Sequence, residues 1–280
     1  MLGRALSCAA RNRNYEVIGA ARSNADVELN LMNTGDIYTK IKEIRPDVII
    51  NTAALTDLSK CEGDPGTAYC INARPAGVIA KCAKEIGSYF IHISTDHYYT
   101  GDRDKRHNEN DRITLVNEYA RTKYLGECLA LAEGGALVVR TNIVGFRGTA
   151  QPTFVEWVLK VLHEKQPFTM FNDFYTSSIH VVQLANALFD LMQRNRIYGT
   201  LNVGSREVCN KQDFISKLAR RLNLSLDHAR AGSVKNLTNP VRAESIGLDV
   251  SLAEKYLGYL LPTADEVIES VVKEYKGMVP

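Results

Sequence analysis

Short apolar segments alternate with amphipathic helical segments through the first half of the sequence, and this rhythm predicts an α/β fold. Beyond Gly145 the alternation loosens and helical segments dominate, which predicts a smaller second lobe. The 280 residues, of which 45% are hydrophobic, are enough to bury a substantial core. We therefore expect a Rossmann-like, doubly wound parallel sheet with a smaller C-terminal lobe.

The individual elements follow from apolar runs and from their flanking cap and turn residues. Strands are predicted at residues 16–20, 47–51, 89–94, 136–140, 200–203 and 246–250. Helices are predicted at residues 34–45, 64–87, 118–132, 152–163, 180–193, 211–222 and 264–275. Asp64 and Pro65 suit an N-cap and a first helical position, and Gly87 suits a helix end. We place the first lobe at 1–146 and the second at 147–280, and the chain is free to cross between them.

Charge and residue spacing exclude several classes of function. The net charge of +2, without a basic stripe, argues against nucleic acid as a partner. Because no apolar run reaches membrane-spanning length and arginines interrupt the first 17 residues, we expect neither a membrane partner nor a signal peptide, and a cytoplasmic location. Six cysteines without a C-x-x-C pair and six histidines without a ligand spacing predict reduced thiols and no metal site.

The candidate chemistry lies in two segments of the first half. Thr95 follows a predicted strand, and strand ends of a doubly wound sheet open onto the ligand crevice. Tyr119 and Lys123 are four residues apart on one predicted helix face, where an ammonium would favour the phenolate and lower the phenol's pKa. These groups suit a carbonyl reduction. A second Y-x-x-x-K at Tyr38 and Lys42 lacks such a strand end, and it is interpreted as surface decoration.

Taken together, several motifs resemble the dTDP-4-dehydrorhamnose reductase family of the extended short-chain dehydrogenases. They are I-S-T-D at 93–96, H-x-E-x-D at 107–111, N-x-Y-x-x-T-K at 117–123, and the stretches 51–57, 140–141 and 248–258, together with Glu62 and Asn72. The resemblance covers nearly the whole chain. It implies an NAD(P)-dependent oxidoreductase that reduces the C4 ketone of a nucleotide-linked deoxysugar, a step of dTDP-rhamnose and polysaccharide biosynthesis.

The resemblance also implies residue roles. Thr95 would hydrogen-bond the substrate carbonyl, Tyr119 would protonate it, and Lys123 would bind the cofactor ribose and tune Tyr119. The backbone of the segment Ala53, Ala54 and Leu55 would line the cofactor, and Asn72 would fasten adjacent strands. The first lobe would then bind NAD(P) and the second lobe would bind the sugar nucleotide. A homodimer is left open.

The cofactor motif departs from the family pattern at its start. Members have a strand and a G-x-x-G-x-x-G turn, of which Gly3 matches the last glycine. We expect that in-frame codons upstream of Met1 encode the strand and the other glycines. Arg22 follows the second predicted strand, where a basic residue meets the 2′-phosphate of NADP, so NADP(H) is favoured and NAD(H) is the alternative.

The sequence differs from the family pattern at positions expected near the sugar, which leaves the identity of the sugar open. The residues that replace the usual ones are His97, Tyr98, Leu115, Asn142 and Ile143. Two other functions stay open. One is an epimerase or dehydratase of the same superfamily, which would keep Tyr119 and Lys123. The other is a non-catalytic regulatory subunit, like the relative that regulates methionine adenosyltransferase.

Overall fold

A computed structural model describes residues 1–149, 151–194 and 196–278. Its helices are α1 (Leu2–Arg11), α2 (Thr34–Ile44), α3 (Leu58–Gly63), α4 (Pro65–Asn72), α5 (Arg74–Ile86), α6 (Glu118–Leu131), α7 (Phe154–His163), α8 (Val181–Arg194), α9 (Lys211–Leu222), α10 (Ser251–Leu257) and α11 (Ala264–Met278). Its strands are β1 (Ala20–Ala21), β2 (Val27–Glu28), β3 (Val48–Asn51), β4 (Tyr89–Ile93), β5 (Ala136–Arg140), β6 (Ile143–Val144), β7 (Phe168–Phe171), β8 (Tyr175–Thr176), β9 (Ile179–His180), β10 (Gly199–Asn202), β11 (Cys209–Asn210), β12 (Ala229–Gly232) and β13 (Ser245–Ile246).

A four-stranded parallel sheet with the order β10-β5-β4-β3 forms the centre of the first lobe. Its side chains alternate between two cores, as the pleat requires. Ile91 of β4 faces a core shared with α1 and α8, whereas Phe90 faces a core shared with α2 and α5. Helices therefore cover both faces, and the predicted doubly wound α/β class is confirmed.

Cap residues set several helix ends where the sequence predicts them. The Asp64 carboxylate accepts a hydrogen bond from the Thr67 amide at 2.9 Å, with Pro65 in the first turn of α4. Gly87 closes α5 in the left-handed region at φ 76°. The single helix predicted over 64–87 is wrong, however, because the helix breaks at Ala73. Pro75 lacks the amide hydrogen that a continuous helix needs there.

The strand predicted over 16–20 is only partly present. Strand pairing begins only at Ala20. Among the described strands, β1 pairs with β2 alone, and the two run parallel. Tyr15 and Ile18 are exposed. A strand is defined by its ladder of hydrogen bonds, and the described residues provide that ladder only around Ala20 and Ala21.

The second lobe packs α7, α9 and α11 around a separate apolar core that includes Phe214 and Val271. The chain also returns to the first lobe, because β10 pairs with β5 and α8 packs against α1. The boundary near residue 146 stays a prediction. Over the described ranges, every helix is too short or too polar to cross a bilayer.

Candidate active site

Thr95 and Tyr119 meet at the carboxyl end of the central sheet. Thr95 lies two residues after the end of β4 and is 3% exposed, and Tyr119 lies in the first turn of α6 and is 9% exposed. Asn117 fixes the start of α6, because its side-chain oxygen accepts a hydrogen bond from the Ala120 amide at 2.8 Å. The Thr95 side chain lies close enough to lower the pKa of Tyr119, although no hydrogen bond of 3.5 Å or less joins the two hydroxyls in the described part of the chain.

Burial nevertheless dominates at Tyr119 and raises its pKa to about 12. The sequence argument expects Lys123 to lower this pKa, but the Lys123 ammonium donates a hydrogen bond to the Ile93 carbonyl at 2.7 Å. Burial lowers the pKa of Lys123 to about 8, and Glu127 opposes the shift. In this structure Tyr119 is therefore a protonated phenol at neutral pH, and the expected lowering of its pKa is wrong.

A close approach between helices brings α6 to this position. Gly126 lies against the junction of α4 and α5, where an added Cβ would be 2.5 Å from the Asn72 carbonyl oxygen. Only a glycine allows this packing without a shift of the backbone. The spacing of Tyr119 and Lys123 from the sheet therefore depends on a residue outside the motif.

Asn72 organises the loop that follows β3. Its side-chain oxygen accepts a hydrogen bond from the Leu55 amide at 2.7 Å, and its Nδ2 donates to the Leu55 carbonyl at 3.0 Å and to Thr122 Oγ1 at 3.1 Å. Asn72 thus ties the loop of Ala53, Ala54 and Leu55 to α6, whereas the resemblance implied that it joins strands. The loop lies at the same sheet edge as Thr95.

Gly3 and Arg22 occupy different surroundings. Gly3 lies in the first turn of α1, and a Cβ there would be 3.4 Å from the Thr52 hydroxyl, so α1 begins beside the loop after β3. Arg22 is exposed just after β1, which lies outside the four-stranded sheet. The structure thus brings Thr95, Tyr119, Lys123 and the loop together, and it leaves Arg22 beside a separate two-stranded sheet.

A buried polar cluster adjoins Thr95 on its other side. Asp96 is 1% exposed, and burial raises its pKa to about 7, while Asn142 and Lys211 oppose the shift. The His97 ring packs edge-on against Tyr119 with centroids 5.5 Å apart. Burial, with Arg242 and Lys211 nearby, lowers the pKa of His97 to about 4, so this imidazole is neutral at pH 7.

A model of the family described as the RmlD substrate binding domain matches residues 1–276. The chain belongs to this family. A probable low-salt glycan biosynthesis reductase of Haloferax volcanii is 26% identical, over 99% of this chain and 97% of that protein. The structure of a hypothetical dTDP-4-dehydrorhamnose reductase from Sulfolobus tokodaii is 32% identical, covers 94% of this chain and 93% of that one, and has a TM-score of 0.82.

A further solved structure is similar in fold. The dTDP-4-dehydrorhamnose reductase of Bacillus anthracis, in complex with NADP, is 24% identical, covers 98% of this chain and 94% of that one, and has a TM-score of 0.85. The predicted RmlD-type family, its α/β fold and its class, an oxidoreductase of the short-chain dehydrogenase/reductase type, are confirmed. The residue roles stay predictions.

Sequence reasoning missed two cationic residues of this RmlD-family site, Lys211 and Arg242. The sequence could have indicated that Lys211 is buried, because this residue shares a helix face with Phe214, Ile215 and Leu218. These positions have the spacing of a buried apolar stripe. A lysine on such a stripe is seldom buried without a reason. Arg242 lies in an irregular segment between η1 (Val234–Asn236) and β13, where no periodicity could indicate its position.

Proposed function

We propose that this chain reduces the C4 ketone of a nucleotide-linked deoxysugar, with NADP(H) as the favoured cofactor and NAD(H) as the alternative. One observation carries the proposal. Thr95 and Tyr119 place two neighbouring, buried hydroxyls at the carboxyl end of β4, where a parallel α/β sheet binds its ligands. Two hydroxyl donors that lie next to each other suit a carbonyl oxygen that gains negative charge.

The residues present fit a nicotinamide dinucleotide. The Lys123 ammonium has three hydrogens, and among the described residues only the Ile93 carbonyl accepts one of them. A ribose diol could accept the others. The backbone of the exposed Ala53 lies on the same edge, and a relative from Bacillus anthracis with this fold is in complex with NADP.

When bound, the cofactor supplies the hydride. Thr95 would donate a hydrogen bond to the carbonyl oxygen and so orient the ketone. Tyr119 would transfer its proton to the same oxygen, and its raised pKa keeps that proton in place at neutral pH. Lys123 would hold the ribose, because the Ile93 carbonyl fixes its ammonium beside β4.

The test measures NADPH oxidation by the purified chain with a set of dTDP-4-keto-6-deoxysugars that includes both epimers at C5, with NADH in parallel. Turnover that Thr95→Val and Tyr119→Phe abolish supports the proposal. An epimerase or dehydratase would convert the sugar without net oxidation of added NADPH. A regulatory subunit would do neither, and the absence of NADPH oxidation would therefore overturn the proposal.

A further inference from the structure

The first turn of α6 carries Tyr119, and its backbone amides need partners from outside the helix. The first residues of an α-helix have amide hydrogens that no carbonyl of the same helix accepts. In α6 the Asn117 side chain accepts the hydrogen bond from the Ala120 amide at 2.8 Å. The Glu118 amide finds its partner in a different element of the fold.

Glu62 of α3 is that partner. Its Oε1 accepts the hydrogen bond from the Glu118 amide at 2.7 Å, although the two residues are 56 positions apart. Glu62 is half-buried, and among the described residues its side chain forms no other hydrogen bond. A carboxylate at the positive end of a helix makes a charge-assisted hydrogen bond, which is stronger than one between neutral groups. The Glu62 side chain is therefore committed to the start of α6.

The same short helix also packs against Tyr119 itself. Cys61 is fully buried in an apolar cluster with Tyr119, Leu55 and Leu58. The Cys61 thiol also donates a hydrogen bond of 3.5 Å to the Leu55 carbonyl. α3 thus contacts both the proposed proton donor and the loop proposed to line the cofactor, and Glu62 links this helix to α6.

The other neighbour of Tyr119 in the chain is anchored from the opposite direction. Asn117, which accepts from the Ala120 amide, also donates a hydrogen bond from Nδ2 to the Val241 carbonyl of the second lobe at 2.9 Å. The amides on both sides of Tyr119 are therefore tied, one to α3 and one to a cap held by the second lobe. A proton donor gains from such anchoring, because it must lie within about 2.6–3.2 Å of its acceptor, and a misplacement of about 1 Å can cost about a hundredfold in rate.

We propose that Glu62 is a positioning residue for the reduction. By accepting the hydrogen bond from the Glu118 amide, it holds the first turn of α6 so that the Tyr119 hydroxyl reaches the carbonyl oxygen of the substrate. This inference rests on the proposed function, in which Tyr119 gives its proton to that oxygen. Glu62 acts through the backbone of α6 and takes no part in the proton transfer.

The test compares Glu62→Gln with Glu62→Met, because both side chains are close to glutamate in length but only glutamine has an oxygen that accepts from an amide. Glu62→Met should lower kcat for reduction of the 4-keto sugar by about tenfold to a hundredfold, with little change in KM. Its solvent isotope effect on kcat should be larger than that of the wild type, because proton transfer from a misplaced phenol becomes rate-limiting. Glu62→Gln should keep most of the wild-type turnover.

Hydrogen exchange gives a readout that needs neither substrate nor cofactor. The Glu118 amide should exchange about tenfold faster in Glu62→Met than in the wild type, because it loses its acceptor. Glu62→Asp keeps the charge but is one methylene shorter, so it should show the same changes in smaller size and serves if Glu62→Met does not fold.

Glu207→Met is the matched control. Glu207 Oε2 accepts a hydrogen bond of 3.1 Å from the amide of Ala264, the first residue of α11, so this change removes the same kind of contact at another helix. It should leave kcat and the solvent isotope effect unchanged, whatever its effect on the melting temperature.

Two outcomes would overturn the inference while the proposed function stands. Wild-type kcat and isotope effect in a folded Glu62→Met would show that Glu62 only stabilises the end of α6. Unchanged exchange of the Glu118 amide would show that Glu62 does not hold this turn. If the wild type reduced none of the 4-keto sugars, the proposed function would fail and this inference with it.

Discussion

The carboxylate of Glu127 and the guanidinium of Arg140 form a buried ion pair that joins α6 to β5. Arg140 Nη2 lies 2.8 Å from Glu127 Oε2, its Nε also donates to this carboxylate, and the two side chains are 1% and 6% exposed. Ser94 donates a hydrogen bond of 2.5 Å to Glu127 Oε1. The pair therefore anchors the strand end that carries Thr95.

Glu127→Gln should destabilise the fold by about 3–5 kcal/mol, because it leaves the Arg140 guanidinium buried without its counter-charge. The double variant with Arg140→Met should be less destabilised than the sum of the two single changes. Urea unfolding measures both. Lys84→Met, which removes an exposed partner of Glu133, is the control and should change stability by about 0.5 kcal/mol or less. Additive effects of the two buried changes would contradict this account.

Tyr119→Phe should lower turnover by at least about a hundredfold while the melting temperature stays near that of the wild type. The change removes only the proton donor, and general acid catalysis contributes about 10²–10⁴-fold. Tyr38→Phe is the matched control, since Tyr38 precedes a lysine at the same spacing but donates its hydroxyl to Glu85 on an exposed surface. Near wild-type turnover in Tyr119→Phe would rule out the mechanism.

The sequence predicted the sheet well because its signals are local. The continuous, mostly apolar runs of β4 and β5, the Asp64 cap and the Gly87 stop each depend on residues close in the chain. The break at Ala73 was missed although Pro75 was visible, because a proline is tolerated in a first helical turn as well as at a break.

The candidate site was only half predictable for a different reason. Thr95, Tyr119 and Lys123 form a motif with fixed spacing, so the chain order reveals them. Asp96 and Lys211 are 115 positions apart in this numbering, and Asp96 influences the pKa of Lys211 only because the second lobe packs on the first. The pKa of Tyr119 also escaped prediction, because burial and the Ile93 carbonyl depend on packing that spacing cannot show.

Cofactor binding should weaken as the pH rises through about 8. At that pH the Lys123 ammonium loses its proton and with it the charge that would hold the ribose. The dissociation constant for NADPH, measured by titration between pH 7 and pH 9, should rise for the wild type. In Lys123→Met the dissociation constant should be about tenfold larger than in the wild type and should not change with pH. Lys42→Met should follow the wild type, because Glu85 raises the pKa of Lys42 and this residue lies on the surface.

Arg22→Ala should weaken NADPH binding more than NADH binding, because only NADPH carries a phosphate that could pair with the guanidinium. Because Arg22 is exposed, we expect its loss to weaken the affinity for NADPH by about tenfold or less and to leave the affinity for NADH unchanged. The exposed Arg220 in the second lobe provides the control substitution. Equal losses for both cofactors would assign Arg22 a structural role instead.

Asp96 should make the stability of the fold fall as the pH rises from about 4 to about 7. Its pKa is 3.8 in an ordinary environment and about 7 when folded, because the side chain is fully buried. Between these values the folded chain keeps a proton that the unfolded chain releases, so this group's contribution to the free energy of unfolding decreases with pH.

Comparison with Asp96→Asn isolates this contribution, because His97, whose pKa is lowered, changes stability in the opposite sense over part of the range in both proteins. The free energy of unfolding of the wild type minus that of Asp96→Asn, from urea titrations, should fall by about 2–3 kcal/mol between pH 5 and pH 7.5. Asp64→Asn is the control. Hydrogen bonds from Thr67 lower the pKa of Asp64 below its ordinary value, so its difference from the wild type should stay constant over the same range. A constant difference for Asp96→Asn as well would mean that the Asp96 carboxyl is already ionised at pH 5 in the folded protein.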